Sequence, residues 1–298
     1  QQYPRLFVYH AWVLHLINQM SAAKQRIRDA ENALNQTNSR DPLLVGMLSA
    51  VHSTLTGLHQ QFPETLILSR QALDLLPEDA VSWRCMAAIN LGVTYSYIGD
   101  VHEATKVLSY ALELSQEIGS SFAMLSTFWH LASLQTNQLS LRAAENTCQQ
   151  LEYVTHMPGI QGFPINGYVA LLLGEISMER NDLDSAEPYL LESTEQINPE
   201  SFPIALLRAY IAMSRLKTLQ NDAEGAEYYW HLAEQLERMM KLQRRVTLLS
   251  IHQARRWLEQ GNVDAVETWA VENQLGVDDE FSYHREGYYW ILARLYIA

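Results

Sequence analysis

Cross-links, metal clusters and membrane spans all find little material in this sequence. Its 298 residues hold two cysteines, Cys85 and Cys148, and no CxxC pair. That excludes a disulfide scaffold and suits a reducing compartment, where buried cysteine behaves as a small apolar residue. No uninterrupted apolar run reaches the ~18 residues of a membrane helix. The first residues lack the basic-then-apolar pattern of a secretory signal. The expectation is a cytoplasmic protein with no membrane partner. Glycine and proline are sparse, 13 and 9. They fall at regular places, and strand-like alternation is nearly absent, which favours an all-α chain. Basic residues are short too, 21 Lys and Arg against 34 Asp and Glu, for a net charge of −13. So acidic a chain repels a phosphate backbone, and no direct nucleic-acid contact is expected.

Catalytic signatures are missing as well. There is no G-x-x-x-x-G-K-[ST] phosphate loop, no H-E-x-x-H and no G-x-S-x-G. Of ten histidines, His52 and His59 share a helical spacing, but two residues are too few to hold a metal. Glu175 and Glu179, at i and i+4, place two carboxylates on one helix face, without the partners that acid/base catalysis needs. The expectation is no catalytic residue, no metal and no cofactor in this segment.

A period is present instead. In the stretch Leu91 to Ala111, Leu91, Gly92 and Tyr95 fall on one helix face, Gly99-Asp100 breaks the helix, and Ala104, Leu108 and Ala111 form a stripe on the next. The small Gly92 and Ala104 let the two axes approach. The spacing resembles the tetratricopeptide repeat (TPR), with a period nearer 40 than 34 residues. The stripe recurs as Ala23-Ile27-Ala30, Thr65-Ser69-Ala72, Ala144-Cys148-Leu151, Ala186-Leu190-Ser193, Ala226-Trp230-Ala233 and Val266-Ala270-Asn273. Breaks between paired helices fall at Gln19-Met20, Gln60-Gln61, Gly99-Asp100, Asn137-Gln138, Asn181-Asp182, Asn221-Asp222 and Gly261-Asn262. The longest irregular segment is His156 to Pro164. Glu286 to Ala298 reads as the first helix of an eighth hairpin, with an apolar stripe left uncovered, as if the segment belonged to a larger protein. The expected architecture is a single domain over residues 1–298: an open, right-handed, TPR-like α-α superhelix of about seven and a half helical hairpins.

In such an array the first helix of each hairpin lines the groove. The groove-facing positions by this register include Met86, Ile89, Val93 and Tyr97, and elsewhere Tyr9, Thr54, Tyr168, Glu175, Arg208, Arg215, Arg255, Trp290 and Arg294. Aromatic rings with a few polar groups suit a sugar or a peptide. Arg215, Arg255 and Arg294 share one repeat position, with Glu175 one hairpin earlier, and form a candidate ladder of guanidinium groups. Two readings of the ladder stand side by side: a polar strip that binds ligand, or ion pairs, Arg255 with Glu259 and Arg215 with the Glu175/Glu179 pair, that hold repeats together.

Several stretches resemble the helical-repeat region of large ATP-binding LuxR-class transcription regulators, the group that includes maltose-regulon activators. They are Pro4-Arg5-Leu6 with His10-Ala11-Trp12, Ala72 to Pro77, Leu91-Gly92 with Gly99-Asp100, Glu179 to Ala186, Ala254 to Leu258 followed by Trp269, and Arg285-Glu286 with Leu292-Ala293-Arg294. Gln60-Gln61 and Arg142 depart from the pattern. The resemblance implies an inducer-sensing and protein-interaction domain, its inducer a small molecule such as a sugar, or a peptide. It implies a nucleotide-switch module before this segment, where ATP would bind, and a helix-turn-helix after it, as partner domains. The rival readings are a peptide-binding TPR module, such as a quorum-sensing receptor or co-chaperone, and an α/α-toroid enzyme.

Overall fold

The computed structural model describes residues 4–17, 19–37, 41–58, 61–154, 165–199, 202–240, 248–279 and 286–297. Among these are fifteen helices and no strand. The helices are α1 (Pro4–Leu16), α2 (Met20–Thr37), α3 (Pro42–Leu58), α4 (Phe62–Leu75), α5 (Val81–Ile98), α6 (Val101–Glu117), α7 (Ser121–Asn137) and α8 (Leu141–Val154), then α9 (Ile165–Glu179), α10 (Leu183–Gln196), α11 (Pro203–Leu219), α12 (Ala223–Met240), α13 (Leu248–Glu259), α14 (Val263–Glu272) and α15 (Glu286–Ile297). Their order is that of a TPR-like helical-hairpin repeat. The expected loop from His156 to Pro164 lies outside the described residues.

One backbone bond explains why the hairpins look alike. The residue that opens each second helix donates its N–H to the carbonyl five residues back: Gln19 to Leu14, Gln61 to Thr56, Asp100 to Tyr95, Ser140 to Gln135, Asp182 to Ser177, Asp222 to Lys217 and Asn262 to Trp257, all at 2.8–3.0 Å. This closes the first helix in a Schellman-type turn, which needs a left-handed residue just before the donor. Gly99, Asn181, Asn221 and Gly261 supply it, with φ between 59° and 86°. The donor's side chain then caps the next helix. Asp100, Asp182, Asp222 and Asn262 accept from the N–H three residues on, at 2.9–3.3 Å. The fourth hairpin corrects the sequence reading. Its first helix runs through Asn137, and the left-handed residue is Leu139, with φ 56°. The turn keeps a fixed distance from the buried stripe: Ala144 follows Ser140 as Ala104 follows Asp100, so Leu139 must bend although Asn137 bends more easily.

The stripes are the core. In six hairpins every stripe residue is at most 6% exposed, and in the seventh Val266 and Ala270 are buried while Asn273 is partly exposed. The larger members, such as Leu108, Leu151 and Leu190, each stabilise the fold by roughly 2 kcal/mol through removal from water. First helices approach these stripes closely where they carry glycine. A Cβ on Gly92 would lie 2.7 Å from Leu108 Cγ, and one on Gly174 2.6 Å from Leu190 Cδ2.

The described residues divide into two compact units, unit 1 up to Leu134 and unit 2 from Gln135 onward. In unit 1 a core of Val8, Ala11, Ile27, Met47, Val51 and Ala72 joins α1 to α4. Arg84 donates to Tyr110 Oη and to the Leu73 and Leu76 carbonyls, tying the end of α4 to α5 and α6. In unit 2 ion pairs link second helices to the next first helix: Glu145 with Arg180, Glu187 with Lys217 at 2.5 Å and Glu227 with Arg256 at 2.5 Å. One face of α15 is covered by the preceding hairpin, and part of the expected apolar face is exposed. Tyr288, Ile291, Leu292 and Leu295 are buried with Ala254, Val266 and Trp269 of α13 and α14, while Trp290, Tyr296 and Ile297 are exposed.

Candidate ligand-binding site

The nine candidate residues are divided between the two units. Tyr9 and Tyr97 belong to unit 1 and the other seven to unit 2. Tyr9 packs edge-on against Trp83, with ring centroids 5.5 Å apart. Tyr97 stacks on Phe62 at 5.0 Å. Both rings remain exposed. Tyr168 meets Phe202 edge-on, and burial pushes its phenol above the usual range. Tyr168 lies on α9 and Phe202 caps the start of α11. Trp290 and Arg294 are exposed on α15.

The polar strip across α9, α11 and α13 is continuous in character. Arg208 grips Glu175 with two hydrogen bonds, Nε to Oε1 at 2.6 Å and Nη2 to Oε2 at 2.5 Å. A bidentate pair of this kind is strong and fixes both side chains. Two turns along α11, Arg215 approaches Glu179, but Nη2 to Oε1 is 3.9 Å, beyond hydrogen-bond reach. Arg255 on α13 pairs within its own helix, Nε to Glu259 Oε1 at 2.9 Å. The ion-pair reading of the ladder finds its geometry at Arg255 with Glu259, and at Arg215 only as a 3.9 Å approach to Glu179.

Arg215 and Arg255 line one cleft of unit 2, together with Ile211, Ser214, Trp230, His252, Arg256 and Glu259. Arg294 is not among its lining residues, so two guanidinium groups of the expected three meet there. Arg256 lies over the Trp230 ring, 4.4 Å from its centroid, as a cation–π contact. His252 is held down to about 3 from its ordinary 6.5, by burial first and then by Arg215 and Arg255. Its ring is neutral across the physiological range. Burial, and then Arg255, also pull the Arg215 guanidinium below its usual value. His252 and Arg256 were missed in the sequence, although a signal existed. Each stands one repeat after a core residue, Ala212 and Leu216, both buried. Here two polar residues stand where the preceding repeat has apolar core.

No group of three His, Cys, Asp or Glu among the described residues is placed to hold a metal ion. No described helix is long and apolar enough to cross a membrane.

The pattern of residues 46–298 matches the family described as the MalT-like TPR region. The chain belongs to that family. No curated protein matches it closely enough to count as a relative. Among solved structures it is similar to the apo form of RapI, at 13% identity and a TM-score of 0.66, with 99% of each chain covered. It is also similar to the apo form of the quorum sensor NprR from B. thuringiensis, at 11% identity and a TM-score of 0.67, covering 97% of this chain and 86% of that one. A third likeness, to BtubC (BKLC) from P. vanneervenii, has 21% identity and a TM-score of 0.53, covering 78% of this chain and 97% of that one. At such identities the likeness speaks to fold alone.

Proposed function

We propose that this MalT-like TPR region is the inducer-sensing and protein-interaction segment of a LuxR-class, STAND-type transcription regulator, acting over residues 1–298 as one cytoplasmic sensor without catalysis of its own. The observation that carries this reading is the family match over residues 46–298. ATP then belongs to a nucleotide-switch module and DNA to a helix-turn-helix module, neither of them in this segment. The mechanism is differential binding. An inducer on the first-helix faces favours one arrangement of the hairpins, and the regulator's assembly equilibrium shifts by that difference in affinity.

The gene's full reading frame tests the class: a phosphate loop upstream and a helix-turn-helix downstream are expected, and a frame with neither would sink the assignment. A thermal-shift screen of small sugars and of short peptides tests the sensing role, with a saturable stabilisation by one of them expected. A second reading is favoured by the likeness to the quorum sensor NprR. In it the segment receives a signalling molecule, a peptide among the candidates, and the full reading frame separates the two, since only the first reading requires both a phosphate loop upstream and a helix-turn-helix downstream.

A further inference from the structure

The cleft bounded by α11, α12 and α13 inverts the charge balance of the chain. Three guanidinium groups, Arg215, Arg255 and Arg256, line it against one carboxylate, Glu259, in a protein of net charge −13. The cations are incompletely answered. Arg215 makes no hydrogen bond among the described residues, its nearest carboxylate oxygen being Glu179 Oε1 at 3.9 Å. Arg255 uses Nε on Glu259 and leaves its two terminal nitrogens over. Arg256 spends Nη2 on Glu227, and its buried Nη1 has no partner. The buried Nδ1 of His252 has none either. Buried polar groups in folded proteins are almost always paired, so two orphaned nitrogens on residues of one small cleft need an explanation.

Resting on the reading of this face as a ligand groove, we propose that the cleft between α11 and α13 binds an oxyanion, carboxylate or phosphate, carried on a small ligand, with Arg215 and Arg255 as charged donors and His252 as a neutral one. A planar guanidinium offers a fork of N–H groups matched to two oxygens of such a group. An anion between Arg215 and Arg255 also removes the repulsion that each imposes on the other. Burial first, and then the neighbouring guanidinium groups, hold the titration of His252 and of Arg215 down. A neutral sugar hydroxyl would hydrogen-bond to Arg215 but bring no opposite charge to it. The Arg208–Glu175 pair, on the same strip, is already satisfied and forms no part of the site.

The test is titration of the whole chain with sodium phosphate and with sodium acetate, against sodium chloride at matched ionic strength, followed by tryptophan fluorescence and by calorimetry. Saturable binding of at least one anion above the chloride control is expected. It should weaken about tenfold or more in Arg215→Met, as loss of a charge-assisted contact implies, with the far-ultraviolet circular dichroism unchanged. Arg215→Lys, which keeps the charge but not the fork, should fall between. If Arg215→Met does not fold, Arg255→Met serves in its place. A hexose phosphate, a hexuronate and a neutral hexose then separate the sources of the oxyanion. Tighter binding of the first assigns a phosphate, and of the second a carboxylate. No saturable binding of either simple anion overturns the proposal, and so does equal binding by the folded variants. A neutral hexose that binds equally well to Arg215→Met would preserve the sensing groove and remove the oxyanion from it. Anion binding with no stabilising sugar or peptide would do the reverse.

Discussion

Replacing Gly92 by alanine adds one methyl group where α5 meets α6. The new Cβ would stand 2.7 Å from Leu108 Cγ, 2.8 Å from Cδ2 and 3.2 Å from the Leu108 backbone N–H nitrogen. Leu108 is fully buried, so its side chain has no room to retreat, and the third contact is backbone. The helices must separate, at an overpacking cost of about 1–3 kcal/mol. Alanine returns up to about 1 kcal/mol in helix propensity. The net expectation is a loss of about 1–2 kcal/mol. Gly57, also in unit 1, provides the control. There a Cβ would meet Thr65 Cγ2 at 3.5 Å, an ordinary contact, so Gly57→Ala should leave stability unchanged or raise it by up to about 1 kcal/mol. Urea unfolding followed by circular dichroism measures both. Leu108→Ala alone should cost about 2–5 kcal/mol. Combined with Gly92→Ala it should cost less than the sum, because the new methyl fills part of the void. Equal shifts for Gly92→Ala and Gly57→Ala, or strict additivity in the double variant, would refute the close-approach argument.

Breaking the Glu175–Arg208 pair, whose side chains are 15% and 24% exposed, should cost about 1–3 kcal/mol for either Glu175→Gln or Arg208→Met. A double-mutant cycle with no coupling between them would mean that the pair behaves as an exposed one. The two thiols should be inert in the folded protein, because burial pushes Cys85 up to about 11 and Cys148 up to about 12. A disulfide reagent should find neither until the chain unfolds, and prompt reaction at mild alkaline pH would contradict their burial.

The repeat was legible because it is local. A stripe at i, i+4 and i+7 depends only on helical pitch, and the turn that precedes it depends on the same pitch, so Ala104, Leu108 and Ala111 predict one another and predict Ala186, Leu190 and Ser193. The reading slipped where a residue preference was set against register. Asn137 invited the left-handed bend, and packing of Ala144 assigned it to Leu139. The site was less legible, since it depends on which side chains find partners. Sequence spacing aligned Arg215 with Arg255 and Arg294, but Arg294 lies on the exposed side of α15 and does not line the cleft. Nor does spacing reveal that Glu175 is claimed by Arg208. In the proposed oxyanion site the mark is departure from the chain's own repeat, as at His252 and Arg256.

His252 allows that idea to be tested by restoring what the preceding repeat uses. Its counterpart, Ala212, is buried and apolar. The imidazole faces Arg215 from α11 and Arg255 on its own helix, and Glu259 lines the same cleft. Its folded-state pKa is depressed from 6.5 to about 3. Above pH 6.5 the ring is neutral in both states and adds nothing to the pH dependence. Below it the unfolded chain takes up a proton that the folded chain refuses, so stability falls as pH falls, by up to about 1.4 kcal/mol per pH unit. His252→Ala removes that loss. At neutral pH it also removes an orphaned Nδ1 and improves helix propensity, so stability should be unchanged or slightly higher. By pH 5 its advantage over the parent should grow by about 2 kcal/mol, a difference that cancels the carboxylates titrating in both proteins. Phosphate binding should weaken in the same variant, since one donor is gone. A residue that lowers stability and supports binding is retained for the site, as in other stability–function trade-offs. Should His252→Ala lose stability at every pH and bind phosphate as before, the histidine would be core material, and departure from the repeat would not mark a site.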